Sequence, residues 1–155
     1  GVVGAVLGDD RVRAQLIVDG VHIHPSVVKI AAQAKGVQGI ILITDATRAV
    51  GMGDGEYLLG DEKIFVKNGV ARTAQGGLGG STLTMDTALR NLMAFTGMSL
   101  SKALATATIN PARALGLDGR KGMLTQGADA DIVLLDADHQ VRLTMVHGNT
   151  VFSDM

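Results

Sequence analysis

An acidic residue directly after an apolar run is the first candidate for chemistry in this chain. Ile40–Ile43 is an unbroken aliphatic run, and it ends at Thr44-Asp45. Short runs of this kind are typical of strands that are buried on both faces in a parallel sheet. Ligands of α/β sheets and barrels bind at the carboxyl ends of such strands. Asp45 is therefore a candidate site residue, and a role as an ordinary turn residue is the alternative.

Two other stretches contain residue types that could bind a ligand. His22-Ile23-His24 would place two imidazoles on one face of a strand, a spacing that can bind a metal ion. Pro25 follows at once, so we expect no metal site here and a loop position for His24. The glycine-rich segment Gln75–Ser81 precedes a predicted helix and could bind a phosphate on helix N–H groups, although it matches neither nucleotide-binding spacing.

The elements around these residues predict a strand–helix–strand unit. Gln15–Val18 reads as a strand, and Pro25 suits the start of a helix that Gly36 ends. Within that helix Val27, Ile30, Ala31 and Ala34 are spaced to form its buried face. A strand, a helix and the Ile40–Ile43 strand within about 30 residues imply parallel pairing.

The remaining chain predicts two antiparallel regions separated by helices. Residues 56–73 read as three short strands, because Asn68-Gly69 between apolar runs is a strong hairpin signal. A helix over Thr82–Thr96 follows, with Met85 in its buried stripe, and Asn110-Pro111 is expected to cap a later short helix. The tail from Lys121 alternates in polarity and predicts a small antiparallel sheet.

The composition excludes several classes of protein. The 155-residue chain is 46% hydrophobic and 19% charged, as expected of a globular domain with a core. A net charge of -1 provides no basic excess to neutralise nucleic-acid phosphates. No apolar stretch approaches the ~20 residues of a membrane span, and without cysteine there is no thiolate metal site. We expect no nucleic-acid partner, no membrane partner and a cytoplasmic location.

Several stretches carry a resemblance to a known family. The closing segment Gly122–Leu135, preceded by Asn110–Arg113, is similar to the end of amidohydrolase-superfamily enzymes. Three further stretches narrow this likeness to the N-acetylglucosamine-6-phosphate deacetylase family, and they follow one another as Asp19-Gly-Val-His22, Thr44-Asp45-Ala-Thr47 with Gly51–Glu56, and Gly80-Ser-Thr-Leu-Thr-Met85. The resemblance covers essentially the whole chain and matches only the C-terminal part of those enzymes.

The resemblance implies an α/β fold and a domain division. Residues 1–120 would form the C-terminal part of a TIM-like (β/α)8 metal-dependent hydrolase barrel, with a β-hairpin insertion near residues 56–73. Residues 121–155 would form strands of a small β-sandwich domain. The opening Gly-Val-Val-Gly without an initiator Met fits a piece of a longer protein.

The resemblance also implies roles for individual residues. Asp45 corresponds to the catalytic aspartate, which takes a proton from a metal-bound water and delivers it to the departing amine. The turn Asp19, Gly20, Val21 and His22 matches a substrate-binding turn in which His22 reaches the sugar phosphate. The loop Leu78, Gly79 and Gly80 matches one that closes over the substrate, although the family more often has Ala or Ser at position 79.

The family's metal ligands and its phosphate-binding arginine have no counterpart in these residues. The resemblance therefore implies a divalent metal, zinc or iron, whose ligands lie outside this chain, and a homodimeric full-length enzyme acting on a sugar phosphate. We predict that the isolated chain is inactive. Two alternatives stay open, namely another amidohydrolase of dihydroorotase or deaminase type, and a non-catalytic half-barrel that needs a partner.

Overall fold

The computed structural model describes residues 1–154, which form five α-helices and eight strands. The helices are α1 (Val2–Gly8), α2 (Pro25–Lys35), α3 (Met85–Thr96), α4 (Leu100–Ala107) and α5 (Ile109–Ala114). The strands are β1 (Ala14–Ile17), β2 (Ile40–Ile43), β3 (Gly55–Leu59), β4 (Glu62–Lys67), β5 (Val70–Thr73), β6 (Ile132–Leu135), β7 (Val141–Val146) and β8 (Asn149–Ser153). They build three sheets, with strand orders β1-β2, β3-β4-β5 and β6-β7-β8.

The predicted strand–helix–strand unit is confirmed. β1 and β2 pair in parallel, with Ala14 opposite Ile40 and Ile17 opposite Ile43. Ile40, Ile41 and Leu42 are buried, as the unbroken apolar run predicts. Because the two strands are parallel, their carboxyl ends lie side by side. The main core is formed by residues of β1, α2, β2, α3 and α4.

The ends of α2 are as predicted, but its buried face is not. Pro25 begins the helix, and Gly36 ends it with a positive φ of 59°. Of the four residues predicted for the buried face, Ala31 is buried, whereas Val27, Ile30 and Ala34 are exposed. Val28 and Ala32 complete the observed buried face. The predicted face and the observed face of α2 are both apolar at helical spacing. The position of the helix against the β1-β2 sheet therefore decides which face packs into the core.

The three short strands predicted in residues 56–73 are present as the antiparallel sheet β3-β4-β5. Asn68 and Gly69 both have positive φ at the turn between β4 and β5, which is the geometry that favours this dipeptide in tight hairpins. The sheet has a small core of its own, formed by Ala49, Ile64, Val66 and Ala71. Because Ala49 lies in the segment between β2 and β3, this core packs the sheet against that segment.

Helix α3 starts later than its sequence pattern predicts. It begins at Met85, because Ser81 makes main-chain hydrogen bonds with the segment after β2 and keeps the preceding residues extended. Ala88, Leu89 and Leu92 are buried, whereas Met85 is 41% exposed, so its placement in the buried stripe is wrong.

Asn110 does not cap a helix as expected. It lies inside α5, almost fully buried, and its Nδ2 donates hydrogen bonds to Val37 O at 2.7 Å and Ile40 O at 2.8 Å. The side chain therefore ties the C-terminal helices to the start of β2.

The tail forms the predicted antiparallel sheet β6-β7-β8. Its membership in a β-sandwich, and the division at residues 1–120 and 121–155, stay predictions; Met155 lies outside the described residues. None of the helices described is both long and apolar enough to cross a membrane.

Candidate functional site

Asp45 stands two residues beyond the end of β2, in a left-handed backbone conformation with φ 53°. Asp tolerates this region better than most non-glycine residues, because its short polar side chain can bond locally. The backbone oxygen of Asp45 accepts a hydrogen bond from Ser81 N at 2.8 Å, and its side chain is 52% exposed. The turn therefore presents the carboxylate to solvent while the main chain is fixed.

Asp19 organises the neighbouring turn after β1. Its Oδ1 accepts hydrogen bonds from Val21 N at 2.9 Å and His22 N at 2.8 Å. Its Oδ2 lies 2.7 Å from His22 Nδ1 and accepts a hydrogen bond from Ser81 Oγ at 3.0 Å. Gly20, with φ 76°, supplies the positive φ that lets the chain reverse here.

The pKa of the Asp19 carboxyl lies below its ordinary value. Burial alone raises this pKa, but hydrogen bonds from His22, Val21 and Ser81 to the ionised form outweigh burial and lower it. Asp19 is thus an ionised acceptor at neutral pH, and its role is to hold the turn.

His22 lies between the two carboxylates. Its Nδ1 is bonded to Asp19, and its Nε2 lies 4.0 Å from Asp45 Oδ2. That distance is too long for a direct hydrogen bond. A ligand atom beside the gap could instead be hydrogen-bonded to His22 and Asp45 together.

A cleft of about 340 Å³ opens next to this group. Of the predicted site residues, the cleft is lined by Asp19, Val21, His22, Leu78 and Gly80. The loop Leu78–Gly80, which follows the β3-β4-β5 sheet, is thereby brought to the same cleft as the turn after β1. The other lining residues are Asn68, Gly69, Val70, Ala71, Ser81, Thr82, Leu83, Thr84, Thr87 and Asn91.

Three predicted residues do not line the cleft. Asp45 Oδ2 lies 4.0 Å from Nε2 of the cleft-lining His22, and Gly20 provides the positive φ of the turn after β1. Gly79 packs against the β3-β4-β5 sheet, where an added Cβ would lie 2.7 Å from Ile64 Cγ2.

Two residues for which the sequence predicts no role contribute to the site. Ser81 bonds Asp19, and Asn91 Nδ2 donates to Val18 O at 2.8 Å, which anchors the end of β1 to α3. Asn91 carried one signal, an amide on an otherwise apolar helix stripe. Ser81 carried only its place after two glycines and before the α3 helix.

The described residues of this chain do not form a metal site. Among residues 1–154 no group of three or more His, Asp or Glu side chains is placed to hold a metal ion. The His-x-His spacing is used differently, because His24 caps α2 by accepting a hydrogen bond from Ser26 N at Nδ1. His24 therefore has a structural role.

Comparison with known proteins identifies related sequences and folds. The amidohydrolase family model matches residues 7–151. A Lysinibacillus sphaericus protein named N-acetylglucosamine-6-phosphate deacetylase is 47% identical over 88% of this chain and 35% of its own length. A relative from Escherichia coli strain K12, provisionally named an N-acetylgalactosamine-6-phosphate deacetylase, is 43% identical over 96% of this chain and 88% of its own length.

A solved structure has the same fold over nearly all of this chain. The crystal structure of N-acetylglucosamine-6-phosphate deacetylase from Thermotoga maritima matches with a TM-score of 0.94 and 41% identity, over 99% of this chain and 42% of that one. The chain thus spans about two fifths of that enzyme but most of the short relative from strain K12.

Proposed function

Because this chain belongs to the amidohydrolase family, we propose that it supplies part of the active site of an N-acetylglucosamine-6-phosphate deacetylase. The reaction hydrolyses the N-acetyl group of N-acetylglucosamine 6-phosphate, giving glucosamine 6-phosphate and acetate. One observation carries this proposal: Asp45 and His22, on separate turns, face each other across 4.0 Å beside the cleft. The names of the Lysinibacillus sphaericus and Thermotoga maritima relatives support the substrate.

In this proposal Asp45 is the residue that accepts and then donates the proton. Its half-exposed carboxylate takes a proton from the attacking water and later delivers it to the departing amine nitrogen. Attack on the amide carbonyl and loss of the amine each need a proton transfer, and one carboxylate can perform both in sequence. The fixed main chain of Asp45 supports this role because it limits where the carboxylate can move.

His22 and the cleft-lining loops bind the sugar phosphate in the same proposal. His22 hydrogen-bonds the substrate through Nε2, since Nδ1 is already bonded to Asp19. Asp19, Val21 and His22 of the turn and Leu78 and Gly80 of the loop line the same cleft. Gly80, which lines the cleft, has no side chain and lets the loop backbone approach a substrate closely.

The complete enzyme needs groups beyond these residues. Amidohydrolases are generally dependent on a divalent metal, and we propose that zinc or iron is held by ligands that lie outside this chain. We further propose that residues 1–120 belong to a TIM-like barrel and residues 121–155 to a small β-sandwich. A homodimer in the cytoplasm completes the proposal, and these parts rest on the family resemblance.

N-acetylgalactosamine 6-phosphate is a second candidate substrate. The relative from Escherichia coli strain K12 that is provisionally named for this sugar is 43% identical, and this chain covers 88% of it. The two sugars differ in the configuration of one hydroxyl group, so the same deacetylation chemistry serves both. Steady-state kinetics with each sugar phosphate decides between them.

The test compares the chain alone with a chimera in which it replaces the matching segment of the Thermotoga maritima enzyme. We expect acetate release from N-acetylglucosamine 6-phosphate by the chimera with added Zn²⁺ or Fe²⁺, and none by the chain alone. Asp45→Asn in the chimera should lower kcat by about 10²–10⁴-fold, the usual contribution of a general acid–base group.

Asp61→Asn, in the exposed turn between β3 and β4, is the matched control and should keep the activity of the chimera. Deacetylation by the chain alone would show that the prediction of inactivity is wrong. Full activity of Asp45→Asn would contradict the role proposed for Asp45.

A further inference from the structure

Ser81 contacts both halves of the candidate site. Its side chain is bonded to Asp19 and its main chain to the Asp45 turn, although 62 residues separate it from Asp19. Ser81 N donates to Asp45 O at 2.8 Å, and Thr47 N donates to Ser81 O at 3.0 Å. Only 4% of Ser81 is exposed, so water does not compete freely for its hydroxyl.

The direction of the hydroxyl hydrogen bond follows from its neighbours. Ser81 Oγ accepts a hydrogen bond from Leu83 N at 3.1 Å and lies 3.0 Å from Asp19 Oδ2. An ionised carboxylate can only accept, so the single hydroxyl proton of Ser81 points to Asp19. The hydroxyl is therefore fixed between one donor and one acceptor.

The same reasoning fixes the proton on His22. Asp19 Oδ2 lies 2.7 Å from His22 Nδ1, and this contact needs a proton on Nδ1. The neutral imidazole then has its free lone pair on Nε2, the nitrogen that faces Asp45. A carboxylate bonded to one ring nitrogen commonly sets the tautomer and orientation of a functional histidine.

We infer that Ser81 is a positioning residue, whose hydroxyl holds Asp19 so that His22 keeps its Nδ1 proton and presents Nε2 toward Asp45. Without this hydroxyl, Asp19 Oδ2 loses the only hydrogen bond that it accepts, among residues 1–154, from outside its own turn. The carboxylate can then rotate away from Nδ1, and the Nε2–H tautomer becomes populated. The consequence for catalysis rests on the proposed function, whereas the effect on the His22 tautomer does not.

The experiment reads the imidazole of His22 directly in the chain as it exists. Long-range ¹H–¹⁵N correlation spectra at about pH 8.5, where an ordinary imidazole is neutral, distinguish the two tautomers. We expect Nδ1–H in the wild-type chain and a larger fraction of Nε2–H in Ser81→Ala. This substitution leaves the main-chain bonds of residue 81 in place, and Ser81→Thr, which restores a hydroxyl, should restore the wild-type spectrum.

Thr106→Val is the matched control, because it removes another buried hydroxyl, bonded to Ala103 O at 2.7 Å, from a helix that does not line the cleft. If Ser81→Ala does not fold, Ser81→Cys replaces it, since a thiol is a weaker donor. An Nε2–H tautomer in the wild type, or an unchanged tautomer in the folded Ala or Cys variant, overturns the inference. Because no turnover is needed, a failed deacetylase assay leaves this result readable.

Discussion

At the scale of single residues, the Asp19 carboxylate is the point where the candidate site is held together. It accepts four hydrogen bonds, three from its own turn and one from Ser81. The short-range bonds form an Asx-type turn that the local sequence can encode. The bond from Ser81 converts that turn into part of a tertiary site.

Asp19→Asn is expected to destabilise the chain by about 1–3 kcal/mol near pH 7, because an amide group faces donors that need an acceptor. The pKa of Asp19 is lowered in the folded chain, so its ionised form stabilises the fold above the unfolded-state value of about 3.9. That contribution is lost as the pH falls through the lower folded-state pKa. Urea denaturation should therefore show a smaller difference between the two proteins near pH 3 than near pH 7.

Asp61→Asn again provides the comparison, since this exposed turn residue should leave the free energy of unfolding nearly unchanged at both pH values. A difference between wild type and Asp19→Asn that grows on acidification would contradict the assignment of Asp19 as an ionised acceptor.

At the scale of elements, the segment Leu78–Ser81 joins the β3-β4-β5 sheet to the Asp45 turn. Gly79 N donates to Ala71 O at 3.0 Å on one side, and Ser81 pairs with the segment after β2 on the other. Gly80 lies between them with φ 71°, and a Cβ there would lie 2.5 Å from Thr47 Cγ2. Glycine is thus required at position 80 for backbone conformation and for space.

Gly80→Ala is expected to destabilise the chain by about 2–5 kcal/mol, because the left-handed conformation costs about 1–2 kcal/mol and overpacking typically adds 1–3 kcal/mol. Gly76→Ala is the matched control, since Gly76 has φ 87° but no atom within 4 Å of an added Cβ. Gly76→Ala should lose only the part of the free energy of unfolding that comes from the left-handed backbone conformation. Urea denaturation measures both variants, and equal losses would show that the close approach to Thr47 is unimportant.

At the scale of the whole molecule, the β6-β7-β8 sheet leaves an apolar face uncovered. Val133, Thr144 and Phe152 stand opposite one another across the three strands, and Val133 and Phe152 are about half exposed. A largely apolar groove of about 730 Å³ runs between this sheet and the helices α3 and α4. Exposed apolar surface of this extent favours association.

Phe152→Glu is therefore expected to raise the monomer fraction of the chain and to lower its binding of a hydrophobic dye. Light scattering after size-exclusion chromatography, together with dye fluorescence, measures both effects. Gln33→Glu on the exposed side of α2 introduces the same charge away from the groove and should change neither. A wild-type chain that is already a clean monomer without dye binding would contradict this prediction and also count against a half-barrel that needs a partner.

Local sequence patterns were sufficient for the elements with strong short-range signals. β2 coincides with its apolar run, the α2 ends follow from Pro25 and Gly36, and the Asn68-Gly69 hairpin follows from its turn dipeptide. These features depend on the backbone preferences of neighbouring residues, which the sequence displays directly. Asp45 could be selected for the same reason, since its place after a buried strand predicts its position at the sheet edge.

Only the tertiary structure decided which groups meet. The buried face of α2, the inward position of Asn110 and the late start of α3 depend on contacts with distant segments. The bond between Ser81 and Asp19 joins residues 62 positions apart, and no local pattern specifies such a partner. By itself the sequence determined the strands, the turns and the candidate carboxylate; the fold decided which hydroxyl and imidazole surround them, because packing of the whole chain selects among partners that local preferences leave equivalent.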